Sequence, residues 1–211
     1  GNRNLMFWVG NLSLLLGISG IGTIAWWQQD LTVVTIVLLC CFLGYTYQGP
    51  PFRLGYQGLG EVICLICFGP LALSAAYYSQ TQSWSIANLA TSLIIGISTS
   101  LILFCSHFHQ VKDDLAAGKL SPIVRMGTEM GTIVLQWSTI SIYALTSIGI
   151  ISGLLPIATL IVFISLPLAL KLINFVWEYH DQPDLIRTCK YIAVRLHFVS
   201  GLLLAIGFCL P

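Results

Sequence analysis

At 211 residues the chain is 56% apolar and only 8% charged, with a mean hydropathy of +0.87. A soluble domain carries about 25% charged residues, so this composition excludes a water-soluble domain and places the chain in a membrane. The net charge of +1 gives no electrostatic footprint for nucleic acid.

Apolar runs of about 20 residues predict membrane-spanning helices. Seven such spans follow one another: Leu5–Trp27, Leu31–Tyr47, Gly60–Tyr78, Ile86–Cys105, Gly131–Gly149, Leu154–Asn174 and Tyr191–Leu210. The expected fold is therefore an all-α, polytopic membrane helix bundle forming a single membrane domain over residues 1–211. Trp26 and Trp27 read as interface anchors, and Gly10, Gly17, Gly20 and Gly22 predict close helix contacts in the first span. Pro167 predicts a kink in the sixth. The seven cysteines lack the paired spacing and His partners of a zinc site and read as small buried thiols.

Seven spans put the loops at 48–59, 106–130 and 175–190 on one side. All nine basic residues fall on that side or at its helix ends, and Asp30 alone among the acids falls on the other. By the positive-inside rule the charged side is cytoplasmic, or stromal in a plastid. The asymmetry suits a pocket that receives a charged headgroup from one face. It suits a transporter less well, since alternating access uses both faces and often shows inverted repeats.

Between the second and third spans, Pro50 and Pro51 remove two backbone donors and stop the helix. Gly55, Gly58 and Gly60 permit irregular backbone, which at membrane depth is tolerated only against protein or a cavity. Arg53 carries a guanidinium fork suited to phosphate oxygens. Glu61 opens the third span, where a helix dipole favours it. A snorkelling arginine on a plain connector is the blander reading of this loop.

Ser106–Arg125 gathers three bases, two acids and two histidines between apolar spans, and charge near hydrocarbon marks a functional site by default. His107, Gln110 and Asp114 share one helical face. A carboxylate and an amide on one face, with Lys119 close behind, can hold a hard cation and the phosphates it bridges. A solvated interhelical loop is the plainer alternative. Lys112, Asp113 and His109 lie off that face and read as solvated, and the 171–190 loop reads as a solvated cover.

The pattern Tyr47-x-Gly-Pro-Pro-x-Arg53-Leu-Gly-Tyr56-x-Gly-x-Gly-Glu61, followed by Phe68-Gly-Pro-Leu-Ala72, resembles the UbiA-type intramembrane prenyltransferases, most closely the branch acting on 1,4-dihydroxy-2-naphthoate. Asp114-x-x-x-Gly118-Lys119, then Val124-Arg125-x-Gly127, resembles that branch's second aspartate motif, and Ala193-Val194-Arg195-x-His197 fits it too. His107-Phe108-His109-Gln110 is similar to the cyanobacterial and plastid members that attach a phytyl chain. Three positions depart from the family pattern: Gln110 stands where it usually has aspartate, and Ser106 and His107 where it has asparagines.

The resemblance implies nine helices with two aspartate motifs. The seven spans here would be helices three to nine, and the chain would start just after the first motif, with Gly1-Asn2-Arg3 as the tail of its loop. Lacking that motif's carboxylates, this stretch alone is expected to be inactive. The implied reaction moves a phytyl or other prenyl group from its diphosphate to an aromatic acid with loss of carbon dioxide, in phylloquinone or menaquinone synthesis, in a thylakoid, plastid or cyanobacterial membrane. Mg²⁺ is the implied cofactor. On this reading Asp114 is a Mg²⁺ ligand, and Gln110 a neutral ligand or a partner of metal-bound water. Lys119 and Arg53 hold diphosphate oxygens, with Arg125 a third choice. Tyr47 and Tyr56 shield an allylic cation, and His107 hydrogen-bonds the acceptor. The alternatives are another acceptor, such as homogentisate, or a non-enzymatic carrier or assembly subunit.

Overall fold

The computed structural model describes residues 3–210, and all its regular structure is helical. The Gly1-Asn2 stretch read as a loop tail lies outside the described residues.

Helices α1 (Arg3–Gln28) and α2 (Thr32–Gln48) form the first hairpin. The third span combines α3 (Gly60–Ile66), a wide π turn over Cys67–Leu71 and α4 (Ala72–Thr81). Pro70 sits inside the π turn, where a ring that clashes with the preceding turn and donates no hydrogen bond is accommodated. Asp30, in the α1–α2 turn, accepts the Thr32 backbone N–H and hydroxyl and, at 2.6 Å, the Tyr78 hydroxyl. This ties the uncharged end of the hairpin to α4.

Helix α5 (Ile86–His107) begins at a Ser85 cap whose hydroxyl accepts the Asn88 N–H at 3.2 Å, a standard N-cap arrangement. It is the axis of the core. It packs on α7 (Pro122–Ile151), α10 (Cys189–Cys209), α3 and the π turn, and its Ile94, Leu101, Phe104 and Cys105 belong to one core with residues of the 3₁₀ segment Ile157–Ser165 and α8 (Leu166–Tyr179). Short helices α6 (Val111–Ala116) and α9 (Pro183–Ile186) lie in the connectors on the charged side.

Six helical spans are long and apolar enough to cross a membrane by length and composition. The second expected span is a helix of only 17 residues, about 25 Å at 1.5 Å per residue against a hydrocarbon core of ~30 Å. The fifth helix starts at Pro122, earlier than Gly131, because proline at the first helical position sacrifices no hydrogen bond. Its first turn therefore carries Arg125, and it contains a break at Gly127 (φ 82°). The kink expected at Pro167 takes the form of a change of helix type: the 3₁₀ segment ends at Ser165 and Pro167 lies in the first turn of α8.

The glycines of α1 do not mediate close contacts among the described residues. A Cβ at Gly10, Gly17, Gly20 or Gly22 would have open space. The close helix approach is elsewhere: a Cβ on Gly69 would lie 2.9 Å from the Gly96 Cα, and one on Gly96 would lie 2.7 Å from the Leu65 carbonyl oxygen. Two facing glycines let α5 and the π turn touch backbone to backbone.

Candidate active site at the charged face

Two irregular segments meet on the charged side. The loop after α2 turns into a 3₁₀ helix (Leu54–Gln57) with Arg53 in the left-handed region, φ 45°. A non-glycine residue held there stores strain of about 1–3 kcal/mol, a feature concentrated at functional sites. Gly58 follows at φ +76°, and a Cβ there would lie 2.7 Å from the Leu120 carbonyl oxygen. Only glycine lets this loop dock on the connector after α6. The dock is closed by the Leu120 N–H donating to the Tyr56 carbonyl at 2.8 Å, and by Arg125, whose Nε donates to Leu120 O and whose Nη2 donates to Gln57 O.

After α5, Gln110 caps the N-terminus of α6, and Gly118 (φ +68°) reverses the chain after its end. That reversal carries Lys119 back onto the helix it has just left. Lys119 Nζ lies 3.3 Å from Asp114 Oδ1, while His107 Nδ1 lies 3.1 Å from Asp114 Oδ2. Asp114 is 6% exposed and His107 2%. His107 Nε2 in turn lies 3.1 Å from Glu61 Oε1. That approach is close but off the line of a hydrogen bond, for both Glu61 oxygens are buried without a directional partner. It is an electrostatic contact.

Between the two segments is a cavity of about 310 Å³ lined by Tyr47, Tyr56, Gln110, Asp113, Asp114 and Lys119, among others. Five of the eight residues singled out in the sequence thus meet in one pocket: Tyr47, Tyr56, Gln110, Asp114 and Lys119. Arg53 stands outside it, exposed, with its guanidinium carbon 5.8 Å from the Tyr56 ring centroid. Arg125 braces the two loops through backbone carbonyls. His107 is turned away from the cavity, with both ring nitrogens facing carboxylates. Asp113 is exposed, as the helical face implied, yet it also borders the cavity. His109 is partly withdrawn from water, and burial, with Lys190 second, lowers its pKa from the ordinary imidazole value.

A second cavity, about 370 Å³ and almost wholly apolar, shares Tyr47 with the first. It is lined by Cys40, Gly44, Ile63, Cys64, Cys67 and Phe68, between α2 and the third span. A polar pocket with one cationic group therefore abuts an apolar one lined by apolar helical spans.

The oxygens of Asp114, Asp113 and Gln110 are hard donors of the kind that bind Mg²⁺, and all three residues face the polar cavity, so the donor set fits that ion. Among the described residues no cluster of three or more His, Cys, Asp or Glu side chains is arranged to hold a metal. The approach of Glu61 to His107 was not anticipated: its position suggested only a helix-dipole partner. The signal for it is spatial, since His107 comes from a helix that lies a full span further along the chain.

The profile of the UbiA prenyltransferase family matches residues 3–202. The chain is 58% identical over 208 residues to the 2-carboxy-1,4-naphthoquinone phytyltransferase of Synechocystis, covering 99% of this chain and 68% of that protein. It is 39% identical over 203 residues to the chloroplastic enzyme of the same name from Arabidopsis thaliana, covering 92% of this chain and 53% of that protein. The 1,4-dihydroxy-2-naphthoate octaprenyltransferase of Bacillus subtilis is a more distant relative, at 23% over 197 residues, covering 93% of this chain and 61% of that protein. The chain thus spans about two thirds, a half and three fifths of these relatives' lengths. No solved structure matches. A helical membrane bundle, a pocket of Asp114 and Lys119 at its charged face and a family match over nearly its whole length establish that this chain belongs to the UbiA prenyltransferase family.

Proposed function

We infer that the protein transfers a phytyl group from its diphosphate to the reduced form of a 2-carboxy-1,4-naphthoquinone, within a cyanobacterial or plastid membrane, on the path to a naphthoquinone of the phylloquinone or menaquinone type. The observation that carries this reading is the junction at Tyr47: a polar pocket holding Asp114 and Lys119 opens at the charged face and abuts an apolar cavity. A prenyl diphosphate has the same division, a polyanionic head and a hydrocarbon tail. The two phytyltransferase relatives supply the donor and the acceptor class.

The acceptor is drawn in its reduced form for a chemical reason. A quinone is electron-poor, whereas two ring hydroxyls push electron density onto the carbon that must attack. The C1–O bond of the donor breaks, and diphosphate leaves with the electron pair. The ring carbon bearing the carboxylate bonds to C1, and the carboxylate departs as carbon dioxide, returning its electron pair to the ring.

In this chain Lys119 is placed to neutralise diphosphate oxygens, and Asp114 and Gln110 to hold Mg²⁺, with Asp113 at the same rim. The ion, when bound, neutralises the charge that develops on the leaving diphosphate. Tyr47 lines both cavities where they meet, beside the place the allylic carbon would occupy, whose developing positive charge an aromatic ring can stabilise. Arg53, at the rim over Tyr56, offers a bidentate fork to an arriving diphosphate.

The test is product formation by full-length protein in membranes given Mg²⁺ and each pairing of phytyl, geranylgeranyl or octaprenyl diphosphate with 1,4-dihydroxy-2-naphthoate or homogentisate. Phytylated 1,4-naphthohydroquinone, read as its quinone after oxidation by air on extraction, is the expected main product. Product from homogentisate alone would overturn the acceptor, and product from the octaprenyl donor alone would overturn the chain.

A further inference from the structure

Glu61 is the unexplained group at this site. Its two carboxylate oxygens are buried and have no directional hydrogen-bond partner, and a buried carboxylate without one is costly unless something nearby offsets it. The compensating group is His107 Nε2 at 3.1 Å. His107 is itself 2% exposed and cannot turn toward solvent. Its opposite nitrogen, Nδ1, is 3.1 Å from Asp114 Oδ2. A line of three buried groups therefore runs from the first turn of α3, through the end of α5, to the single buried carboxylate of the polar cavity.

The two oxygens of Asp114 are not equivalent. Oδ2 is held from behind by a buried ring whose other nitrogen faces the Glu61 carboxylate. Oδ1 is held by Lys119, whose side chain is 19% exposed and ends on a flexible four-carbon stem. We propose that Glu61 is a positioning residue: acting through His107, it locks the Asp114 carboxylate by Oδ2, so that Oδ1 is the oxygen passed between Lys119 and the divalent cation. A divalent cation held by Asp114 would compete with Lys119 for that carboxylate and would leave the ammonium free to meet diphosphate oxygens. Groups that hold a metal ligand from behind commonly govern metal affinity by 10- to 100-fold. The inference rests on the reading of Asp114 as a cation ligand.

The experiment is Mn²⁺ binding by electron paramagnetic resonance to full-length protein in nanodiscs, with the Mg²⁺ dependence of turnover measured in parallel. Glu61→Gln is nearly isosteric and should weaken Mn²⁺ binding about tenfold. It should raise the Mg²⁺ concentration for half-maximal rate by the same factor, and leave the prenyl diphosphate KM at saturating Mg²⁺ unchanged. Glu61→Asp should recover part of the affinity. Because both residues act along one line, Glu61→Gln combined with His107→Asn should bind no more weakly than His107→Asn alone. Wild-type Mn²⁺ affinity in Glu61→Gln, or independent additive losses in the double variant, would overturn the proposal. Asp114→Asn separates the two readings. If it loses Mn²⁺ while Glu61→Gln does not, only the positioning role fails. If wild type and Asp114→Asn bind Mn²⁺ alike, the cation reading fails and takes this inference with it.

Discussion

At the scale of the residue, the site turns on which groups are buried and what they face. Lys119 comes to Asp114 because Gly118 can adopt a positive φ; the lysine is then the cationic side chain lining the polar cavity. A hydrogen bond to a charged partner contributes about 1.5–3 kcal/mol. Lys119→Met, which keeps the stem and removes the charge, should therefore raise the prenyl diphosphate KM roughly 10- to 100-fold, read by steady-state kinetics at saturating acceptor. An unchanged KM would remove Lys119 from the diphosphate contacts. The residues that form this pocket were legible in the sequence because helical spacing puts Gln110 and Asp114 on one face and family motifs mark the loop from Tyr47 to Glu61. The orientation of His107 was not. Spacing placed it on the same face as Asp114, but only packing decides that its second nitrogen meets Glu61 and that the ring is unavailable to an acceptor. Arg125 was misplaced for a similar reason: its helix starts at Pro122, and its donors are drawn to backbone carbonyls that exist only once the two loops have docked.

At the scale of the element, the spans were legible by length and hydropathy, and their contacts were not. Glycines in α1 and glycines at 69 and 96 look alike in sequence. The former face open space, whereas the latter are where two backbones meet. Gly96→Ala should force the third span and α5 apart and cost about 1–3 kcal/mol, as overpacking does. Gly17→Ala should be neutral or slightly stabilising, since alanine fits a helix better than glycine does. Thermal unfolding of the two variants in the same detergent checks both, and equal midpoints would contradict the assigned contact. The opposite end of the bundle makes a pH prediction. The Tyr78 hydroxyl, and after it Thr32, hold the Asp30 carboxyl below its ordinary value. A carboxyl whose folded pKa is depressed contributes stability above its unfolded pKa of about 3.9, and loses it as pH falls through the folded value. The stability lost in Tyr78→Phe should thus be visible at pH 7 and fade as the pH falls through the folded Asp30 value, followed by thermal midpoints from neutral into acid pH. A deficit independent of pH would mean that Tyr78 acts by packing alone.

At the scale of the whole molecule, one face of the bundle carries the charges and the site, and the other carries short turns. The core positions the site: α5 packs against α7, α10 and the third span along its length and delivers His107 at its end, while α7 and the loop after α2 clamp the connector that bears Asp114. A polar cavity and an apolar cavity then abut at Tyr47, the division that the proposed prenyl diphosphate donor shares. The most direct measurement of that account is Mg²⁺-dependent phytyl transfer to 1,4-dihydroxy-2-naphthoate by full-length protein carrying Asp114→Asn, beside wild type in the same membranes. The account predicts a loss of about 10²–10³ in rate, the scale on which removing one element of transition-state electrostatics acts, that added Mg²⁺ only partly restores. Wild-type turnover with an unchanged Mg²⁺ requirement would contradict it, and would show that the cation and the diphosphate are handled elsewhere in the protein.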